Sequence, residues 1–324
     1  MDMSAALTDP AGRTIVIALG GNAMARAEDV PGIESQFRRA DEAMAYVAAL
    51  VAEGARVVVT HGNGPVVGDI LMRGEAACDV VPPMPLYIAD ADSEGGIGLM
   101  LQQVLGNRLR LRGVVIPIAT VVTQVVVAHD DPAFQNPTKP IGPRFPLEQA
   151  RALAEERGWQ ISEEVGRGWR RVVPSPRPQR IIETPAVRAL VKAGVVAIAA
   201  GGGGVPVIEA ADGTLSGVDA VIDKDWASAV LAAEISAEAF VILMEADAVY
   251  RDWGTPSQRR IDRLSASEAR ELLDSGQLPV GSIGPKVAAA SWFAEKTGND
   301  ALICRGEDLT AALSGRAGTR FCAQ

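Results

Sequence analysis

Three lysines lie in unusual positions for this residue type. Lys286 follows the sequence GSIGP and lies in the first turn of a predicted helix, where the helix dipole disfavours a cation by ~0.3–1 kcal/mol. Lys224 lies beside Asp225 at another predicted helix start, and Lys139 lies in a proline-rich segment. A single lysine of this kind is most often a solvated surface residue. In combination with glycine loops elsewhere in the chain, the three indicate a cage that neutralises a phosphoryl group while it is transferred.

Three glycine loops follow three short apolar strands. Gly20-Gly21-Asn22 follows TIVIAL, Gly62-Asn63-Gly64 follows VVVTH, and the run from Gly201 to Gly204 follows VVAIAA. Because glycine has no Cβ, its backbone N–H group can approach an anion that a larger residue would hold off. One such loop could be a simple turn. Three strands that each end in a glycine loop instead predict a parallel sheet whose carboxyl ends meet at one ligand crevice.

Helical and strand patterns alternate around these loops. Amphipathic helices are predicted over 43–51, 97–105, 186–191, 226–235 and 286–296, and strands over 56–60, 114–120 and 240–244. This order predicts an α/β sandwich. Residues 128–178 are rich in proline and arginine, which predicts an insertion with its own small structure and few contacts with the sheet. A surface linker is the alternative interpretation of this segment.

The composition narrows the class of protein. The 324-residue chain has a net charge of −9, which argues against sequence-independent nucleic-acid binding because such binding requires clustered Lys and Arg. Its three cysteines form no CxxC pair, so neither a disulfide framework nor a zinc site is indicated. No apolar run is long enough to span a membrane, and the acidic start lacks the order of a signal peptide. We expect a cytoplasmic protein that acts on small molecules.

Common nucleotide-binding signatures are missing from the sequence. There is no GxxxxGK(S/T) motif, and the nearest approach to GxGxxG, residues 62–68, has its last glycine one place late. Protein-kinase signatures are also missing. Neither a P-loop nor a dinucleotide-binding site is therefore predicted.

Eight sequence blocks carry a resemblance to a known family. They are TIVIALGGNA, VVVTHGNGPVVG, ATVVTQVVV, FQNPTKPIGP, GRGWRRVVPSPRP, AAGGGGVPV, GVDAVIDKD and GSIGPKV. From Thr14 onward the chain resembles the carbamate kinases of the amino-acid kinase superfamily, and NPTKPIGP and VVPSPRP are specific to that group. The resemblance implies a three-layer α/β/α sandwich with a largely parallel central sheet, a small protruding subdomain over about 128–178, and a homodimer. It also implies an acceptor-binding lobe over 1–205 and a nucleotide-binding lobe over 206–324.

The resemblance implies a reaction and a role for each matching residue. The reaction is reversible phosphoryl transfer between ATP and carbamate with Mg²⁺, working in the ATP-forming direction in nitrogen catabolism and arginine metabolism. Lys224 and Lys286 would stabilise the transferred group, Asp225 would orient these lysines, and Lys139 would reach in from the subdomain. Binding of phosphate or substrate is implied for Gly20, Gly21, Asn22, Gly62, Asn63, Gly64, Gly202 and Gly203, and binding of nucleotide for Asp247, Ala248 and Tyr250. No residue is implied as a metal ligand.

One segment departs from the carbamate kinases, because a neutral stretch has become acidic at Asp90, Asp92 and Glu94. A carboxylate facing carbamate would oppose its binding by ~4 kcal/mol for unit charges about 4 Å apart at an effective dielectric of roughly 20. The kinase could then use another small carboxylate-like or carbamate-like acceptor. Alternatively, Asp90 and Asp92 point to solvent and Glu94 pairs with an arginine.

Two further expectations concern the class of protein and the histidines. A catalytically silent ligand-binding protein on the same fold is a third hypothesis, but such a protein has no need of the lysine cage. Phosphoryl transfer depends on positioning and charge neutralisation more than on acid-base residues. We therefore expect His61 to have a structural role beside its glycine loop and His129 to lie at the surface.

Overall fold

The computed structural model describes residues 9–20, 32–63, 66–164, 166–278 and 283–323. Helices α1 to α9 are Ile33–Ala52, Val66–Ala76, Leu86–Leu111, Leu147–Arg157, Thr184–Lys192, Lys224–Glu234, Ala266–Asp274, Ile283–Thr297 and Leu309–Leu313. Strands β1 to β17 are Thr14–Leu19, Arg56–His61, Ile118–Thr120, Gln124–Val127, Lys139–Phe145, Gln160–Glu164, Gly168–Val173, Pro178–Ile181, Val196–Ile198, Val205–Glu209, Leu215–Gly217, Ala239–Leu243, Val249–Arg251, Arg259–Ile261, Arg263–Ser265, Asp300–Cys304 and Thr319–Cys322. Within these ranges no helix has the length and apolar character needed to cross a membrane.

A central eight-stranded sheet organises the molecule in the order β15-β17-β16-β12-β1-β2-β9-β3. Strand β17 runs antiparallel to β16, and the other neighbouring pairs run parallel. Alternate residues of β1 belong to two different buried clusters, Val16 with residues of α6 and α8, and Ile17 with residues of α1 and α3. The sheet is therefore covered by helices on both faces, which confirms the predicted three-layer α/β/α sandwich with a largely parallel sheet.

The three strands that precede the glycine loops end at one edge of this sheet. Strands β1, β2 and β9 are parallel neighbours, so their carboxyl ends lie side by side. Strand β1 is apolar and buried because both of its faces are covered by helices. The predicted convergence of the strand ends is confirmed for these three strands.

The inserted segment contains a separate three-stranded sheet, β5-β7-β6, together with α4. It leaves from β4 and returns in β8, and these two strands pair antiparallel. Ile141 and Val173 of the insertion share a buried cluster with Val67 and Leu71 of α2. The insertion thus has its own small structure, as predicted, and it packs on a helix. The lobe boundaries at 205 and 206 stay a prediction.

Helix α3 is much longer than the predicted helix over 97–105. It begins at Leu86, and its buried side includes Asp90, Ser93 and Glu94 as well as apolar residues. Polar residues on the buried side hide the helical hydrophobic pattern over the first three turns, because that pattern assumes that polar residues face solvent. Strand β3 is shorter than predicted and starts at Ile118 rather than at Val114.

Candidate active site

The first turn of α6 places two of the predicted catalytic residues. Asp223 is the N-cap of this helix, and its side chain accepts hydrogen bonds from the backbone N–H groups of Asp225 at 3.0 Å and Trp226 at 3.3 Å. The cap satisfies two N–H groups that a helix start otherwise leaves without partners. It therefore fixes where the helix begins, and with it the positions of Lys224 and Asp225.

The carboxylate of Asp225 joins two lysines. Its Oδ1 atom lies 2.5 Å from Nζ of Lys224, and its Oδ2 atom lies 2.8 Å from Nζ of Lys286 in the first turn of α8. Burial opposes the ionisation of Asp225, but the charges and hydrogen bonds of the two lysines outweigh it and hold the pKa of Asp225 below its ordinary value. Burial also lowers the pKa of Lys224, and the neighbouring Asp225 opposes that shift.

Lys139 joins this group from the insertion. It is the first residue of β5, and its Nζ atom lies 2.9 Å from Oδ2 of Asp223. Burial opposes the ionisation of Asp223, but the charge and hydrogen bond of Lys139 together with the charge of Lys224 outweigh it, and the pKa of Asp223 is lowered. Three lysines and two aspartates therefore form one network, which we call the lysine cage. Asp223 was not among the predicted site residues, because the helix was predicted to begin at 226 whereas it begins at Lys224. With the earlier start, Asp223 is the aspartate at the N-cap position.

The loop from Gly201 to Gly204 lies against two other parts of the site. Gly202 has a left-handed backbone with φ of 66°, and a Cβ atom there would lie 2.5 Å from the side-chain nitrogen of Asn63. A Cβ atom on Gly203 would overlap the carbonyl oxygen of Ile222, directly before the lysine cage. Close packing therefore requires glycine at both positions, in addition to any contact with an anion.

The other predicted loop residues are only partly described. The N–H group of Gly20 donates a hydrogen bond to the carbonyl oxygen of Leu243 at 3.1 Å, which fastens the end of β1 to the end of β12. Asn63 is buried. Gly21, Asn22 and Gly64 lie outside the described residues.

His61 ends β2 directly before the second glycine loop. It is buried, and its Nδ1 atom lies 3.1 Å from the carbonyl oxygen of Gly62. Burial lowers the pKa of His61 to about 4, with the charge of Lys224 acting in the same direction. A neutral imidazole that supports its loop agrees with the predicted structural role, and His129 is exposed as predicted.

Two acidic residues of α3 lie behind these loops. Asp90 and Glu94 are each 1% exposed, whereas Asp92 is exposed. The alternative in which Asp90 points to solvent is therefore wrong, although Asp92 does lie at the surface. Glu94 accepts from the N–H group of Thr123 and forms no ion pair with an arginine among the described residues, so that part of the alternative is wrong too. Because α3 is already helical at Asp90, a spacing of four residues places Asp90 and Glu94 on one side of the helix and Asp92 on another.

The predicted nucleotide-binding residues form a separate group after β12. The Tyr250 hydroxyl donates a hydrogen bond to Oδ1 of Asp247 at 2.9 Å, and Nη1 of Arg260 lies 3.3 Å from Oδ2 of Asp247. Ala248 is buried. No hydrogen bond or ion pair between described residues joins this group to the lysine cage. Nor does the described part of the chain contain a cluster of three or more His, Cys, Asp or Glu residues that could hold a metal ion.

Comparison with known proteins identifies relatives over nearly the full length of the chain. Residues 13–305 match the Amino acid kinase family. The carbamate kinase of Pyrococcus furiosus is 44% identical over 311 residues, which cover 95% of this chain and 99% of the relative. The carbamate kinase-like protein YqeA of Escherichia coli is 44% identical over 314 residues, covering 96% and 99%.

A solved structure of a relative agrees with the fold. The structure of the Giardia lamblia carbamate kinase bound to AMP-PNP is 38% identical, has a TM-score of 0.88, and covers 97% of this chain and 99% of that one. The chain therefore belongs to the amino acid kinase family and, within it, to the carbamate kinases and their close relatives.

Proposed function

We propose that this protein is a carbamate kinase, which transfers a phosphoryl group between ATP and carbamate. In the ATP-forming direction it converts ADP and carbamoyl phosphate to ATP and carbamate. The observation that carries this proposal is the bridging of Lys224 and Lys286 by Asp225, with Lys139 bound to the neighbouring Asp223. The identity of 44% to a carbamate kinase over 95% of the chain supports the choice of acceptor.

The chemistry needs positioning and electrostatic stabilisation more than acid-base groups. Charge on the transferred phosphoryl group develops at its oxygens, and ammonium groups held in advance stabilise it without reorganisation. We assign this role to Lys224 and Lys286, with Lys139 reaching the same group from the insertion. The start of α6 adds the partial positive charge of a helix N-terminus. His61 is neutral and buried, so no general base is assigned to it.

We assign the acceptor to the loop containing Gly62, Asn63 and Gly64, and the phosphates to the loops at 20–22 and 201–204. Packing of Gly202 against Asn63 and of Gly203 against Ile222 supports this, because it joins both kinds of loop to the lysine cage. The nucleotide would bind at Asp247, Ala248 and Tyr250. The binding of AMP-PNP by the Giardia lamblia relative supports ATP or ADP as the nucleotide.

We propose that Mg²⁺ enters with the nucleotide as part of the substrate. The described residues provide no cluster of three or more metal-ligating side chains. A site with few ligating side chains fits Mg²⁺. This ion commonly keeps several waters and is bound through substrate phosphates and one or two carboxylates. From the family resemblance we also propose a cytoplasmic homodimer. Analytical ultracentrifugation would test the dimer.

A kinase with a different small acceptor is the second candidate. It is favoured by the presence of Asp90 and Glu94 behind the acceptor loop, where carbamate kinases have neutral residues, and by the identity of 44% to a protein named only as carbamate kinase-like. A silent binding protein is disfavoured because the five charged residues of the lysine cage would have no use in it.

The decisive experiment is a coupled assay of ATP formation from ADP and carbamoyl phosphate. We expect turnover that depends on both substrates and on Mg²⁺. Activity on another small acyl phosphate, with none on carbamoyl phosphate, would support the second candidate. Binding of ADP by calorimetry without turnover on any acyl phosphate would contradict the kinase proposal.

A further inference from the structure

Asp90 and Glu94 are buried carboxyl groups that have no cationic partner among the described residues. One oxygen of each is bound, since Nδ2 of Asn63 donates to Oδ1 of Asp90 at 3.1 Å and the N–H group of Thr123 donates to Oε2 of Glu94 at 3.1 Å. The second oxygens, Oδ2 of Asp90 and Oε1 of Glu94, are buried and have no hydrogen-bond partner among the described residues. An ionised carboxylate in such a position would be strongly destabilising.

The two side chains support the acceptor loop at Asn63 and the glycine loop that begins at Gly201. Asp90 holds the side chain of Asn63, which in turn lies against Gly202. Glu94 holds Thr123, whose Oγ1 atom accepts a hydrogen bond from the N–H group of Ala200 at 2.9 Å. A Cβ atom on Gly201 would lie 3.1 Å from Cγ of Glu94. One face of α3 therefore sets the relative position of the two loops.

The charged groups around this pair oppose its ionisation. Burial is the main cause that raises the pKa of Asp90 and of Glu94 well above their ordinary values. The charge of Asp219 adds to the shift at Asp90, and the charges of Asp90 and Glu183 add to it at Glu94. His61, on the neighbouring β2, is itself neutral. The hydrogen bonds from Asn63 to Asp90 and from Thr123 to Glu94 act in the other direction without cancelling the shift.

We propose that Asp90 and Glu94 are positioning residues of the acceptor site that work as uncharged acids, fixing the loops at Asn63 and Gly201 while adding no negative charge behind an anionic acceptor. The inference rests on the proposed function for the identity of that acceptor. It removes the electrostatic conflict that the acidic segment suggested. Activity should fall at high pH, because ionisation of Asp90 or Glu94 would place a negative charge behind the acceptor loop.

The test compares four variants with the wild type over a range of pH. Asp90→Asn and Glu94→Gln keep the shape and stay neutral, Glu94→Ala removes the hydrogen-bond acceptor, and Asp92→Asn is the matched control because Asp92 is exposed on the same helix. The measured quantities are kcat and KM for carbamoyl phosphate and, separately, KM for ADP.

We expect the wild-type KM for carbamoyl phosphate to rise at alkaline pH while the KM for ADP changes little. Asp90→Asn and Glu94→Gln should rescue a low KM at alkaline pH, and Asp92→Asn should follow the wild type. Glu94→Ala should raise KM for carbamoyl phosphate roughly tenfold or more, as expected when a buried hydrogen bond is lost. Identical pH profiles for the wild type, Asp90→Asn and Glu94→Gln would overturn the proposal.

A readout that does not require activity separates this inference from the proposed function. Infrared spectroscopy at neutral pH should detect the C=O stretch of protonated carboxyl groups, and the combined Asp90→Asn and Glu94→Gln variant should lack that band. If the wild type does not use carbamoyl phosphate, the proposed function fails and the band still reports on the acids. A spectrum in which the combined variant matches the wild type would overturn the inference even if the kinase is active.

Discussion

Two groups of buried carboxyl side chains lie close to the same loops and have opposite charge states. Asp225 is ionised between two lysines, with Nζ atoms at 2.5 and 2.8 Å. Asp90 and Glu94 are as deeply buried, but among the described residues their hydrogen-bond partners are N–H groups and no cation, and their pKa is raised. Burial alone therefore does not decide the charge of a carboxyl group. A cationic partner must outweigh the loss of hydration.

This difference divides the site into two electrostatic regions. The lysine cage collects positive charge where phosphoryl oxygens would lie, which favours a transition state with spread negative charge. The acids behind the acceptor loops are neutral, so their burial adds hydrogen bonds without adding charge. An anionic acceptor and an anionic phosphoryl group can therefore approach each other with little opposition from the protein.

Removing the charge of Asp225 should have the largest effect on the stability of the protein. Asp225→Asn should lower the free energy of unfolding by ~3–5 kcal/mol, the range seen when one partner of a buried ion pair is removed. Two lysines would then face each other without a counter-ion. Urea denaturation measures the change, with Asp92→Asn as the exposed control. An unchanged midpoint for Asp225→Asn would mean that the lysines are not held by this carboxylate.

Removing Lys224 or Lys286 should lower the rate of phosphoryl transfer more than it lowers the stability of the fold. Lys224→Ala and Lys286→Ala should each lower kcat by ~10²–10³-fold, by analogy with the loss of one charge-stabilising donor, and raise the KM for ADP much less. Lys296→Ala is the control, since Lys296 is an exposed lysine on the same helix as Lys286. A variant that keeps half of its wild-type kcat would exclude that lysine from the mechanism.

The sequence predicted the lysine cage better than the acids behind the loops. Lys224 and Lys286 were recognisable because a cation at a helix start is unfavourable, so its presence indicates an anion. Asp90 and Glu94 were misassigned because acidic residues are almost never fully buried without a partner. A four-residue spacing shows that two side chains share one side of a helix, but it does not show whether that side faces solvent or the protein.

The glycines show a similar limit. Sequence patterns predicted that three strands end in loops at one edge of the sheet, because an apolar run followed by glycine is a local signal. They could not show that Gly202 and Gly203 are required by contacts with Asn63 and Ile222, since both contacts are distant in sequence. The lobe boundaries at 205 and 206 came from the family resemblance rather than from a local signal, and they stay a prediction.

The dependence of stability on pH should sharpen the contrast between the carboxyl groups. The pKa of Glu94 is raised in the folded state, so its unfolded state loses the proton first as the pH rises above the ordinary value of 4.5. The folded wild type therefore loses stability, relative to Glu94→Gln, by up to about 1.4 kcal/mol per pH unit until Glu94 ionises in the folded state.

Thermal denaturation of both proteins at several pH values measures this difference. The two melting temperatures should be similar near pH ~4. Above that pH, the melting temperature of Glu94→Gln should exceed that of the wild type by an increasing margin. The contribution of Asp225 to stability depends on pH in the opposite direction. Because its pKa is lowered in the folded state, this contribution is present above the ordinary pKa of 3.8 and is lost as the pH falls. A constant difference between wild type and Glu94→Gln at all pH values would show that Glu94 is charged in the folded protein.

The smallest effect on stability should come from the third lysine. Lys139 and Asp223 form an ion pair at 2.9 Å, but their side chains are 31% and 21% exposed, against 3% for Asp225. Such partly exposed pairs contribute roughly 0.2–1 kcal/mol, because water screens the charges. A double-mutant cycle of Lys139→Met with Asp223→Asn should give a coupling within that range, and Asn can still cap α6. At ~1 M salt, where the Debye length is ~3 Å, the coupling should nearly vanish. A coupling of ~3 kcal/mol that persists in salt would make Lys139 an equal member of the buried cage.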